Sequence, residues 1–185
     1  MLLLDLTTLG AWDADSGSLH VIIETPKGSR NKYKYDTKHR LFMLSKVLPS
    51  GSTFPYDFGY IPSTRAQDGD PLDVLVLMDE VVFSGCLITA RLIGVIKAEQ
   101  KDGDQTVRND RLIAIASQSH EQQNVQSIEQ LDAYLIEEIE HFFISYHELD
   151  GEQWRPLARS GPAKAQKILD KALLRKPAAR HKVKA

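Results

Sequence analysis

One cysteine, Cys86, is all that the 185 residues contain, so no disulfide can form within the chain and a reducing compartment fits. Long apolar runs are missing as well; none approaches the ~20 residues that a membrane-spanning helix needs. The run Met1-Leu2-Leu3-Leu4 stops at Asp5 with no basic residue before it and does not read as a signal peptide. Net charge is scarce, with 23 basic against 25 acidic residues and a formal balance of −2. That balance argues against a nucleic-acid binder, which relies on a strongly basic surface. No Walker phosphate loop, no Gly-x-Gly-x-x-Gly and no His-x-x-x-His or His-Glu-x-x-His pattern occurs, so neither a nucleotide cradle nor a helical zinc site is indicated. Internal repeats and low-complexity tracts are absent too.

What remains is the composition of a soluble globular protein, 42% hydrophobic and 26% charged, long enough to bury a core without staples. The charge is unevenly spread. Residues 175–185 hold Arg175, Lys176, Arg180, Lys182 and Lys184 and no acid, which leaves 18 basic against 25 acidic residues before them. We therefore expect one domain over 1–174 and a basic, disordered tail over 175–185. An arm for an acidic partner is the alternative reading of that tail.

The first two-thirds reads as strands. Leu19 to Glu24 is rich in β-branched residues and ends at a Pro26 to Ser29 turn signal. Lys32-Tyr33-Lys34-Tyr35 alternates. Asp73 to Leu77, Leu87 to Ala98 and Leu112 to Ala116 are apolar and branched. The last third reads as helix. Ile128, Leu131, Leu135, Ile139, Phe142, Tyr146 and Leu149 recur at spacings of three and four, one face of an α-helix, with a Ser127/Gln130 capping box at its start. A second helix is expected from Pro162. Strands followed by two helices suggest an α+β domain, a closed barrel with helices against it.

The segment richest in chemistry is Asp68-Gly69-Asp70-Pro71-Leu72-Asp73. Three carboxylates so close repel one another, and hard divalent cations prefer carboxylate oxygen, so the run reads as a metal loop or as a solvated turn. It is not an EF-hand, because Asp73 stands where that loop needs glycine. Upstream, Phe54-Pro55-Tyr56-Asp57-Phe58-Gly59-Tyr60 is dense in aromatics, either core or the wall of a pocket. Lys32, Lys34 and Lys46 are surface lysines taken singly. Beside a metal loop they suggest a phosphate site.

These residues carry a resemblance. The acidic run, Val21 to Pro26, Lys32-Tyr33, Phe54 to Pro62 and His141-Phe142-Phe143 follow the order and spacing of the family I soluble inorganic pyrophosphatases, over roughly residues 19 to 150. The resemblance implies a five-stranded OB-like closed barrel flanked by two C-terminal helices. It implies hydrolysis of inorganic diphosphate with Mg²⁺, in a cytoplasmic homo-oligomer. Matched to the motif, Asp68, Asp70, Asp73 and Glu24 would hold metal, Asp70 would help deprotonate the attacking water, and Lys32, Lys46 and Tyr146 would bind phosphate. Departures accompany the match. Lys34 stands in place of Glu, Lys46 of Arg, Phe58 of Tyr and His147 of Lys. Gln100 and Asn109 fall where metal-binding aspartates are expected, and Arg111 where Lys is. Glu99, Asp102 or Asp104 would be the substitutes for a lost ligand. The site so built is less acidic, which predicts fewer tightly held metals and weaker phosphate binding. A degenerate member that turns over poorly is one alternative, and an OB-type nucleic-acid module supported by the tail is another.

Overall fold

The computed structural model describes residues 5–174, so the expectations for Met1 to Leu4 and for the basic tail lie outside the described residues. Nine strands and two α-helices occur among them, in an α+β arrangement. The strands are β1 (Leu19–Thr25), β2 (Asn31–Asp36), β3 (Leu41–Val47), β4 (Asp57–Ile61) and β5 (Leu72–Leu77), then β6 (Leu87–Asp102), β7 (Gln105–Arg108), β8 (Arg111–Ala116) and β9 (Gln153–Ser160). The helices are α1 (Ala133–Glu148) and α2 (Pro162–Ala172).

Seven strands share one mixed sheet, and β2 and β3 form a separate antiparallel hairpin. Pairings lead from β1 to β4, β5, β8 and β6, and β6 pairs with β1 again. The resemblance implies five strands. The five in this circuit are joined by β7 and β9, which both extend from the long β6, and by the hairpin. β5 and β8 are parallel and every other pair is antiparallel.

The apolar runs of β5 and β8 follow from burial on both faces. Val74, Val76, Leu112 and Ala114 pack with Ala165 and Leu169 of α2. Their alternates Leu75, Leu77, Ile113 and Ile115 pack with Ile136, Ile139 and Phe143 of α1. Burying each Val, Leu, Ile or Phe side chain among these contributes about 1.5–3 kcal/mol.

Two readings of the last third need correction. The capping box at Ser127 and Gln130 is present, but it caps a single 3₁₀ turn, Ile128–Gln130. The chain straightens at Leu131, and α1 starts anew under an Asp132 cap. Between the helices lies β9, which the sequence reading left unrecognised. Among the described residues no helix is long and apolar enough to cross a membrane.

Candidate active site

A cleft of about 500 Å³ opens between the hairpin, the acidic loop, β6, β8 and the end of α1. Glu24, Lys32, Lys34, Asp68, Asp70 and Asp73 line one part of it, and Gln100, Asn109, Arg111, Tyr146, His147 and Glu152 the rest. A cavity of about 560 Å³ behind the loop shares Asp68, Asp73 and Asn109. Glu24, Asp70, Lys32 and Arg111 belong to the first cleft alone, which is therefore the one with chemistry.

The loop is built for its turn. Gly69 has a φ of +95°, which a side chain would strain, and Asp68 Oδ1 accepts from the Asp70 amide at 3.1 Å. Asp73 stands three residues after Asp70, on β5. There the parallel register, Val74 opposite Leu112, sets Asp73 beside Arg111 at the start of β8. Glu24 is next to last in β1 and is buried, and one of its oxygens accepts the Tyr35 amide at 2.8 Å. Burial pushes its pKa up to about 7. Asp68 is exposed yet partly desolvated against the cleft wall, and its pKa is raised by that and by the charges of Asp73 and Asp70.

The cations come from opposite sides. Lys32 stands over the rings of Phe58 at 5.0 Å and Tyr146 at 5.3 Å and makes no ion pair among the described residues. Burial lowers its pKa. Lys34 donates to Asp70 Oδ2 at 2.7 Å. Desolvation works against its charge, but the bond and charge of Asp70 outweigh it and raise its pKa. Arg111 is buried and donates to Asp73 Oδ2 at 2.6 Å, with Phe143 under its guanidinium at 4.7 Å. Lys46 does not line the cleft. It pairs with Asp150 at 2.6 Å and stands over the Tyr146 ring at 4.0 Å.

The far wall is a closed ring of hydrogen bonds. Arg111 donates to Asn109, and Asn109 donates to Gln100. Gln100 donates to Glu152 at 2.7 Å, and His147 Nδ1 meets the same carboxylate oxygen at 2.8 Å. His147 Nε2 faces Arg111 Nη2 at 3.4 Å. A guanidinium only donates, so Nε2 accepts and Nδ1 carries the proton. Burial, with Arg111 and Lys32 nearby, drives the His147 pKa down to about 3.

The structure thus brings together Glu24, Lys32, Asp68, Asp70, Asp73, Gln100, Asn109, Arg111 and Tyr146. It does not bring Glu99, Asp102 or Asp104 to the cleft. Glu99 pairs with Arg155 at 3.1 Å on another surface, and Asp102 and Asp104 are exposed around the turn between β6 and β7. Glu152 is the carboxylate found on that wall instead. Its signal in sequence was slight, one acid after Gly151 at the end of the helix. The aromatic segment serves both readings, since Phe54 and Phe58 are buried core, with Lys32 over the Phe58 ring, and Tyr60 lines the cleft. His141, part of the resemblance, is exposed on α1.

The loop side fits a hard divalent cation by donor chemistry. Burial, and after it the charges of Asp73 and Asp70, raises the proton affinity of Asp68, and a cation relieves that repulsion. Among the described residues no three His, Cys, Asp or Glu side chains stand close enough to hold an ion together as they lie. The cations of Lys34 and Arg111 engage two of the three aspartates.

A family model described as inorganic pyrophosphatase matches residues 21–176. A relative from Synechocystis named inorganic pyrophosphatase is 41% identical over 147 residues, which cover 80% of this chain and 84% of that one. A relative of the same name from Halalkalibacterium halodurans is 36% identical over 157 residues, 85% of this chain and 94% of that one. Among solved structures, the inorganic pyrophosphatase of Thermus thermophilus superposes with a TM-score of 0.84 at 29% identity, covering 92% of this chain and 97% of that one. That of Neisseria gonorrhoeae gives 0.81 at 28%, covering 91% and 97%.

Proposed function

The chain belongs to the inorganic pyrophosphatase family, and on that premise we propose that it hydrolyses inorganic diphosphate to two phosphates with water activated by Mg²⁺ on the acidic loop. The observation that carries this reading is a single cleft in which Asp68, Asp70 and Asp73 meet Lys32 and Arg111. Divalent ions, when bound there, would supply an acidified water and neutralise phosphate oxygens. Asp68, Asp70, Asp73 and Glu24 would hold them. Hard oxygens favour Mg²⁺, and the one imidazole of the lining, His147, has both nitrogens engaged.

Asp70 is the base of this reading. Lys34 takes its Oδ2 and leaves Oδ1 to accept a proton from the attacking water. Lys32, partly desolvated and unpaired among the described residues, is placed to bind a phosphate oxygen, with Arg111 and Tyr146 beside it. Lys46 acts at the rim, where Asp150 orients it.

The finer fold reading, a five-stranded OB-like closed barrel, is supported by the circuit of pairings through β1, β4, β5, β8 and β6. We read residues 1–174 as one domain, acting in a cytoplasmic homo-oligomer. The lone cysteine supports that compartment.

The test is phosphate release from diphosphate with Mg²⁺. The native chain is expected to release phosphate, and Asp70→Asn to lose roughly 10²- to 10⁴-fold in rate. No release from the native chain at any Mg²⁺ concentration overturns the reading.

A further inference from the structure

Two of the three loop aspartates already hold a cation of this chain: Lys34 on Asp70 at 2.7 Å and Arg111 on Asp73 at 2.6 Å. The two differ in kind. Arg111 is buried, cannot lose its proton and is fixed by Asn109, His147 and the Phe143 ring as well as by Asp73. Lys34 is half-exposed on a flexible stem and can be displaced. The wall opposite the loop offers a cation little. The side-chain amides of Gln100 and Asn109 and the carboxylate of Glu152 are already committed to one another, to Arg111 and to His147. An ion there would have to break that ring and stand next to a permanent guanidinium.

We propose that Lys34 and Arg111 are resident cations, each holding one oxygen of a loop aspartate that would otherwise be open to a divalent ion. An ion binds at Asp70 only by displacing Lys34, and the Gln100–Asn109 wall takes none. This rests on the metal-assisted reading above and deepens it.

The experiment is a Mn²⁺ titration followed by the spin resonance of the free ion, without substrate. It uses the full native chain, Lys34→Gln, the double variant Gln100→Asp/Asn109→Asp, and Asp70→Asn. Lys34→Gln is expected to bind the same number of ions, the tightest about two- to fivefold more tightly. The double variant is expected to bind one ion more per chain. Asp70→Asn is expected to lose the tightest ion. If Asp70→Asn loses its ion while Lys34→Gln binds no more tightly or the double variant gains none, this proposal fails and the metal-assisted reading stands. If the native chain binds no ion, both fail. Should circular dichroism show the double variant unfolded, the Lys34→Gln affinity alone decides.

Discussion

His147 bears a cost that pH exposes. Its pKa falls from 6.5 to about 3 on folding, because burial and the neighbouring Arg111 and Lys32 disfavour its charged form. Between those values the unfolded chain binds the proton that the folded chain refuses, so stability drops as pH falls below about 6.5. Glu24 runs the opposite way. Its pKa rises from 4.5 to about 7, so acidification through that window favours the folded chain. Comparing the native chain with His147→Gln isolates the histidine, since Glu24 is common to both. Urea unfolding at pH 7.5 and pH 5 should show the native chain losing about 2 kcal/mol more than the variant on acidification. Equal losses would mean that His147 is protonated in the fold. The residues of the acidic loop were legible because their chemistry is local: three aspartates in six positions already repel. The ring behind them was not. Gln100 meets Glu152 across 52 residues, and no local pattern announces such a pair.

Strand β4 shows how one missing atom sets the spacing of an element. A Cβ at Gly59 would lie 2.0 Å from the Ile22 carbonyl oxygen and 2.9 Å from the Ile23 Cα, where β1 crosses it. The obstacle is backbone and cannot swing aside. Gly59→Ala should cost about 1–3 kcal/mol as the two strands part. It should also displace Glu24, two residues after Ile22 on the same strand. A thermal melt and the Asp70-dependent rate check both effects; an unchanged melting temperature counts against the close approach. At this scale the sequence was readable where burial is two-sided. Val74 to Leu77 of β5 and Leu112 to Ala116 of β8 are unbroken apolar runs, and both strands appear where expected. β9 was not readable. Only Trp154 is buried among its residues, and Pro156 interrupts a polar, half-exposed strand held chiefly by its pairing with β6. The helix start was misjudged because a capping box satisfies a 3₁₀ turn as well as an α-helix.

Among the described residues, exposed apolar side chains gather on the hairpin, although others such as Tyr134 and Leu149 stand apart from it. Leu41, Met43, Leu44 and Val47 of β3 are exposed, as are Val81 and Phe83, the latter at 72%. The loop bearing Phe83 lies against the hairpin, since Gly85 sits under the Phe42 ring. This apolar patch is the feature on which the proposed homo-oligomer rests. Light scattering should find more than one chain per particle, and Phe83→Glu with Leu44→Glu should reduce it to one. A native chain that scatters as a monomer at micromolar concentration removes that expectation.

The parallel pairing of β5 with β8 has a consequence in time. Parallel neighbours cannot be joined by a tight turn, and here the connection contains the whole of β6 and β7. Asp73 and Arg111 lie 38 residues apart and meet only after that excursion has folded back. The hairpin that supplies Lys32 and Lys34 needs no such wait, because its strands are consecutive and joined by a short turn. Folding therefore delivers the two halves of the cleft on different clocks, the local lysines early and the Asp73–Arg111 contact after the slow long-range closure.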